Sequence, residues 1–479
     1  MDAETIRRLE PELDNFLGKF LYCFGNEVAT LTATYLRGQL SELERKNVER
    51  IALRSQISPR TLQEFLASYV WDHERLRTTL QQIVANEHAN PNSVGIIDET
   101  SFVKKGDKTP GVQRQHCGAV GKQDNCVVTV HLSYTTEDFH CLVDEKLFLP
   151  ESWSEDRERC RAAKIPEDVI YRSKSDLALE IYHRTRANGI QFQWLTFDEW
   201  YGAKPQYLSA LFHAGQNYVG EVHCGHRVWI KRPRVANRSY PKKGRRNSRK
   251  TPRLAAGEPK SITVKTCFLE QAVFTKQSWQ QWHVKDTQKG PKVVEVKHSL
   301  VYPQDENHLP MRAHHLLIVR DVMSSEIKYF LANAPENTSA GTLLKVAYSR
   351  WRVERCFEDD KKYIGMDHFE GRGYPGLIRH LLLSAVSLLF LSRVRKQLQE
   401  SYPEITVSQV REAMSALVQS WWMPALSAAA LIENTAFRIQ YYQRRNAQAR
   451  KGHTKTRYKK LASMGIDINQ TQRCCWDDD

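Results

Sequence analysis

The chain has 479 residues, 41% of them hydrophobic and 26% charged, which fits a folded globular protein of two or three domains and excludes a disordered one. Its most apolar run, Leu381 to Leu391, is too short to span a bilayer, and the first residues hold no apolar signal core, so neither a membrane partner nor export is expected. The ten cysteines include no C-x-x-C pair, which predicts reduced thiols in a cytoplasmic protein.

The net charge of +15 is concentrated in two places. Between Arg227 and Lys260 there are 13 Lys and Arg against one acid, and between Asn434 and Lys460 nine against none. Two such segments on an otherwise mildly acidic body point to a polyanion, with nucleic acid the first candidate. His116-Cys117 with Cys126, and the stretch Val222 to His226, lack the paired spacing of a structural zinc site.

In chain order, residues 1 to about 88 read as helices. Apolar positions recur at helical spacing in Phe16, Phe20, Leu21 and Phe24, and again in Leu62, Phe65, Leu66 and Tyr69. Ser58-Pro59 is a helix start, a capping hydroxyl followed by proline at the first helical position. The short segments around Ser55 to Ser58 are compatible with a helix-turn-helix. From Asn92 the pattern becomes β-rich. Ser93 to Asp98 is a short buried strand ending in an acid, and Val127 to Tyr134 and Phe139 to Phe148 are further strands. A helix from Lys174 to Ala187 and a strand from Phe192 to Phe197 follow, the strand closed by Asp198. A helix from Gln206 to His213 and a strand from Tyr218 to Val222 complete a mixed sheet with helices. Residues 225 to about 338 carry the first basic run, with Gly244 to Lys250 as its loop tip. Strand-like segments follow at Ser261 to Phe268, Lys292 to Val301, His314 to Val322 and Ile327 to Ala332. Leu377 to Gln399 suits a core-packed helix, and residues 400 to 479 read as helical, then basic and poorly packed.

Residues 342 to 363 contain neither Pro nor Gly and predict one long helix. At about 100° per residue, Arg350, Glu354 and Lys361 fall within roughly 40° of one another, with Trp351 on one flank and Phe357 on the other. That pattern predicts a half-buried Glu354, and a half-buried carboxylate calls for a cation or a metal. Asp98 and Asp198 are expected at strand ends, where open α/β sheets place their ligands. Three carboxylates suit Mg²⁺, which takes few protein ligands and keeps waters. Two such ions activate the attacking oxygen and stabilise the leaving one in a phosphodiester displacement.

The order strand-Asp98, strand-Asp198, long insertion, helix-Glu354 resembles the RNase H-like DDE transposases of bacterial insertion sequences. Arg350, Glu354 and Lys361 match the helix motif of their cut-and-paste group, in which a Tyr, an Arg and a Glu are followed by Lys seven residues after the Glu. Tyr348 departs from it, standing two residues before Arg350 where the group has three. The segments Ile97-Asp98-Glu99-Thr100, Phe197 to Gly202 and Asp367 to Arg372 look most like the insertion sequence 701 family, and the resemblance covers residues 90 to 400. It implies an RNase H-like mixed sheet with flanking helices, interrupted by a β-rich insertion and preceded by a helical N-terminal domain. The divisions expected are a helical DNA-binding domain at 1–90, a catalytic core at 91–224 and 339–400, a β-rich basic insertion at 225–338, and a helical basic region at 401–479.

The resemblance implies a transposase that binds terminal inverted repeats in double-stranded DNA as a homodimer. It would cleave DNA, join the 3′-OH to target DNA, and work in the bacterial cytoplasm at the nucleoid. Asp98, Asp198 and Glu354 would be catalytic and hold two Mg²⁺, with Mn²⁺ able to substitute. Arg350, Lys361 and Tyr348 would support them, and Lys242, Lys243, Arg245, Arg246, Arg249 and Lys250 would bind DNA. Glu99, Glu199 and Glu358 rank below the three acids. The rival readings are a non-catalytic DNA-binding protein of this fold and a metal-dependent nuclease without strand transfer. A phosphatase with Asp98 as nucleophile would want a second Asp where Thr100 stands.

Overall fold

The computed structural model describes residues 1–236 and 252–476. They divide into two compact units, one made of Met1–Gln191 with Trp351–Ala449 and the other of Phe192–Arg350 with Arg450–Asp479. Both are mixed structures of helices packed on sheets.

The first unit is built on four antiparallel strands, β1 (Val94–Val103), β2 (Gln113–Cys117), β3 (Lys122–Thr135) and β4 (His140–Leu147). β3 is central, pairing with β1 on one edge and with β2 and β4 on the other. From Cys126 to Thr135 every residue of β3 is buried, as expected of a strand covered on both faces. The helix Lys174–Ala187 packs on β3 and β4, and the helix Trp351–Asp359 packs on β1, β3 and β4. Beyond them lies Tyr374–Leu398, buried almost all round, which contacts β4 and the N-terminal helices. Its polar side chains find internal partners: His380 Nδ1 with the Tyr35 hydroxyl at 2.7 Å, and Arg379 Nη1 donating to the Leu66 carbonyl at 3.0 Å. By length and composition this helix could cross a membrane, contrary to the sequence reading, but 94% of its apolar window is buried inside the protein. It is a core helix.

The N-terminal helices include Val48–Arg54 and Pro59–Ala67, separated by a turn in which Gln56 takes φ 54°. Pro59 opens the second helix as the sequence indicates, although Ser58 makes no side-chain capping bond.

The second unit holds β5 (Trp194–Phe197) and β6 (Tyr218–Val222), which are parallel. β6 continues antiparallel to Ile327–Ala332, then to His314–Asp321, then to Gly290–Pro303. Two close approaches fix β6. A Cβ at Gly220 would lie 2.1 Å from the Phe197 ring, and one at Gly202 would lie 1.9 Å from the Glu221 carbonyl oxygen.

Several expectations are corrected. Asp98 is the fifth residue of a ten-residue strand, not its end, because pairing with β3 carries β1 on to Val103. The stretch 342–363 is not one helix. Ala340–Ala347 stops at Tyr348, Trp351–Asp359 follows, and Asp360–Ile364 widens into a π-helical turn. The break is a tight turn in which Ser349 N–H and its hydroxyl both donate to the Val346 carbonyl, at 3.0 and 2.7 Å. Ser261 to Phe268 is strand only at Ile262–Thr263. The Thr263 hydroxyl then accepts from Thr266 N–H and caps the helix Val264–Glu270. The strands β2 and Gln280–Thr287 were not anticipated. The basic C-terminal region lies largely within one helix, Ala425–Ser463, and from Tyr441 to Lys460 it buries no residue.

Candidate active site

In a strand, neighbouring residues point to opposite faces and cross-strand partners share a face. Asp98 pairs with His131 of β3, so both project from the same face of the first unit's sheet. The His131 ring meets Phe357 edge-on, with centroids 5.1 Å apart, which places the helix Trp351–Asp359 over that face. Lys361, just beyond this helix, completes the arrangement. Its Nζ donates to the Ser101 carbonyl of β1 at 3.0 Å and lies 5.4 Å from the ring of Phe102, a same-face neighbour of Asp98. Asp98 and the segment carrying Glu354 and Lys361 are thus brought to one side of one sheet. Glu99 points the other way and forms an ion pair with Lys174 at the start of the helix on the opposite face.

The local chemistry follows from burial. Val353, Cys356 and Phe357 seat the helix, while Glu354 and Glu358 are exposed and Asp98 is half-buried. Glu354 is therefore not the half-buried carboxylate expected. Trp351 is itself 44% exposed. Glu358 is held by Arg355 at 2.9 Å, and the same guanidinium reaches the buried Asp359 at 2.7 Å. Burial, with the Lys361 ammonium nearby, pushes His131 down to about 3, so it is a neutral imidazole at neutral pH. Its Nε2 is 2.7 Å from the Thr129 hydroxyl. Burial also lowers the Lys361 ammonium. Asp98 Oδ1 accepts the Glu99 N–H at 2.8 Å, which fixes the carboxylate's direction.

In the second unit, Asp198 directly follows β5, as the sequence indicates, and caps the short helix Glu199–Gly202. Its Oδ1 accepts Trp200 N–H at 3.0 Å and Tyr201 N–H at 3.3 Å. Glu199 is exposed. Tyr348 ends the helix Ala340–Ala347, with its ring 6.3 Å from Phe330. Burial raises its phenol well above the usual range. Arg350 is the last residue of this part of the unit. Lys242, Lys243, Arg245, Arg246, Arg249 and Lys250 lie outside the described residues.

Among the described residues, no group of three or more His, Cys, Asp or Glu is assembled closely enough to hold a metal ion. Asp98 and Glu354 nevertheless offer the donors that Mg²⁺ takes, carboxylate oxygens with access to water. Their chemistry fits a hard divalent cation. The sequence reading missed His131, although a lone histidine inside the apolar run Val127 to Tyr134 was a visible signal.

A family model for DDE superfamily endonucleases matches residues 19–291, a span that contains Asp98 and Asp198 and ends before Glu354. A relative from Microchaete diplosiphon, described as a probable transposase for insertion sequence element IS701, is 30% identical over 197 residues, covering 40% of this chain and 48% of the relative. The chain thus spans about half the length of the curated relative it matches.

Proposed function

Because the chain belongs to the DDE superfamily of endonucleases, we propose that it is a DNA transposase in which Asp98, Asp198 and Glu354 hold two divalent ions. Mg²⁺ is the ion, and Mn²⁺ substitutes for it. The observation that carries this reading is the seating of the helix with Glu354 over the sheet face from which Asp98 projects, fixed by the Phe357–His131 contact. When bound, the ions activate the attacking oxygen and neutralise charge on the leaving one.

The chain's own residues prepare that chemistry. The Glu99 amide holds the Asp98 carboxylate in one orientation, and the Trp200 and Tyr201 amides hold Asp198. Asp198 supplies the third carboxylate. Lys361, tied to the Ser101 carbonyl, fixes the chain just after Glu354 and contributes positive charge for a phosphate. Arg350 and Tyr348 support the site, and neutral His131 adds no competing charge. The helices Val48–Arg54 and Pro59–Ala67 recognise the terminal repeats. Lys242, Lys243, Arg245, Arg246, Arg249 and Lys250 neutralise DNA phosphates. The protein acts as a homodimer on transposon ends in the cytoplasm. Its RNase H-like core is interrupted by a basic insertion at 225–338.

The test is to incubate the protein and transposon-end DNA with Mg²⁺ or Mn²⁺, and to resolve nicked, cut and joined products. Wild type should give both cleavage and joining, and Asp98→Ala, Asp198→Ala and Glu354→Ala neither. Cleavage without joining would favour a nuclease. Full activity in any of the three variants would remove that residue from the site.

A further inference from the structure

Residues 367–372 carry part of the sequence resemblance but no part of the site described above. They belong to a loop between the π-helical turn Asp360–Ile364 and the core helix Tyr374–Leu398. Residues 365–370 are in neither helix nor strand, so their carbonyls need partners from elsewhere. His380 Nε2 donates to the Gly365 and Met366 carbonyls, each at 3.1 Å. Lys104 Nζ donates to the Phe369 carbonyl at 2.6 Å and to the Asp367 carbonyl at 3.2 Å. Two side chains of the loop are tied to the N-terminal segment: His368 Nδ1 accepts Lys46 N–H at 3.0 Å, and Glu370 pairs with Arg45 at 3.0 Å.

Lys104 stands one residue beyond β1, the strand that carries Asp98. Its backbone is fastened to β3, with its N–H donating to the Asn125 carbonyl at 2.9 Å and its carbonyl accepting from Asn125 Nδ2 at 2.7 Å. Its neighbours Val103 and Lys105 are exposed, whereas Lys104 is half-buried. Burial lowers its ammonium to about 8, against the pull of the Asp367 and Glu370 carboxylates and with Arg45 adding to the fall. Taking an ammonium out of water costs free energy that an apolar residue would not, so packing alone does not account for a lysine here.

Three contacts join β1 to the Glu354 segment, in the same order along both. Asp98 shares its face with His131, which meets Phe357. Lys361 Nζ reaches the Ser101 carbonyl, and Lys104 Nζ reaches the carbonyls of Asp367 and Phe369. The first contact is between rings; it fixes the face but tolerates sliding along the helix axis. The other two are directional bonds, one donated from each side, and they set how far along β1 the helix Trp351–Asp359 sits. A slip of one residue moves a helix by about 1.5 Å, and a misplacement of about 1 Å is enough to cost about a hundredfold in rate.

We propose that Lys104 is a positioning residue, which holds the carbonyls of Asp367 and Phe369 and thereby fixes Glu354 along β1 relative to Asp98. It acts through the backbone rather than on the DNA. The proposal rests on the reading of Asp98 and Glu354 as ion ligands, and adds to it the device that keeps them in register.

The test compares Lys104→Met, Lys104→Arg and, as a control, Lys105→Met in the full chain. At saturating Mg²⁺, Lys104→Met should lower kcat for cleavage of transposon-end DNA about tenfold to a hundredfold and leave KM for DNA within about twofold. Mn²⁺ binding to the DNA-free protein, followed by the electron paramagnetic resonance of the free ion, should weaken about tenfold. Lys104→Arg keeps a cationic donor and should recover most of both, and Lys105→Met should match wild type. If circular dichroism shows Lys104→Met unfolded, Lys104→Gln, which keeps a donor without the charge, takes its place and should lose kcat and Mn²⁺ affinity in the same direction. Wild-type kcat and Mn²⁺ affinity in the folded variant, alongside an inactive Asp98→Ala, would overturn the positioning role and leave the catalytic reading standing. A raised KM with unchanged kcat, or an equal effect of Lys105→Met, would overturn it in favour of a DNA contact. A loss in Lys104→Arg as large as in Lys104→Met, with lowered denaturation midpoints in both, would overturn it in favour of a structural role. An unmodified protein that neither binds Mn²⁺ nor cuts DNA would overturn both readings.

Discussion

Asp144 and Glu145 on β4 are as inaccessible as the apolar core of the first unit, and they are surrounded by cations of their own chain. Arg77 reaches Asp144 at 3.3 Å and Glu145 at 2.9 Å, while Arg184 Nε reaches Asp144 at 2.8 Å and Gln81 Nε2 donates to it at 3.0 Å. Asp98 and Glu354 stand on the same unit and are half-buried and exposed, with a carboxylate direction set by a backbone amide for Asp98. Buried charges have their partners built in and serve the fold, since removing one side leaves the other uncompensated. Acids that water reaches on one face, as it does Asp98 and Glu354, are the ones a substrate or an ion can approach. Access to water, more than residue type, separates the two sets.

The largest expected effect separates them directly. Asp98→Ala or Glu354→Ala should reduce metal-dependent cleavage by about a thousandfold or more, since a catalytic ion supplies several kcal/mol. Their denaturation midpoints should stay near wild type. Asp144→Ala should do the opposite, costing about 3 to 5 kcal/mol of stability because Arg77 and Arg184 lose a buried partner. A stable Asp144→Ala protein would break the comparison.

Asp360 tests the buried set through pH. Burial, reinforced by Asp367, Asp359 and Glu145, raises its carboxyl from 3.8 to about 7, against a hydrogen bond donated by Ser384. With the folded value above the unfolded one, folding favours the proton. Asp360 therefore costs stability increasingly as pH rises from about 4 to about 7, and by a constant amount beyond. Asp360→Asn should flatten that slope in urea melts, with its largest gain over wild type on the alkaline side. A slope unchanged by the substitution would contradict the assignment. The smallest effect is expected at Glu358, exposed and paired with Arg355 at 2.9 Å. Glu358→Ala should shift stability by about 0.5 kcal/mol or less and leave cleavage intact. Loss of cleavage there would move the site along the helix.

Much of this was legible in the sequence, for reasons tied to particular residues. The helix Lys174–Ala187 was read to its ends because Ser173 caps it and Asn188-Gly189 closes it, both local signals. Asp198 was placed correctly because β5 is a short apolar run that stops where the capping acid begins. Asp98 was misplaced because the continuation of β1 through Thr100 and Ser101 depends on pairing with β3, a contact far away in the chain. The break at Tyr348 to Arg350 carries no Pro or Gly, and Ser349 closes it with a hydroxyl that is equally at home inside a helix. The helix Val264–Glu270 hid behind a β-branched start, and its cap, Thr263, looked like strand. The accessibility of Glu354 came from the seating of Phe357 on His131, which no spacing within the helix specifies.

The central claim, that Asp98 ligates a catalytic ion, is tested most directly by exchanging its ligand chemistry. Asp98→Cys replaces a hard oxygen donor with a soft sulfur that binds Mg²⁺ poorly and Mn²⁺ better. The account predicts that this variant loses DNA cleavage in Mg²⁺ and regains it in Mn²⁺, while wild type cuts in both. Equal cleavage by the variant in the two metals, or equal loss in both alongside an active Asp98→Ala, would contradict it.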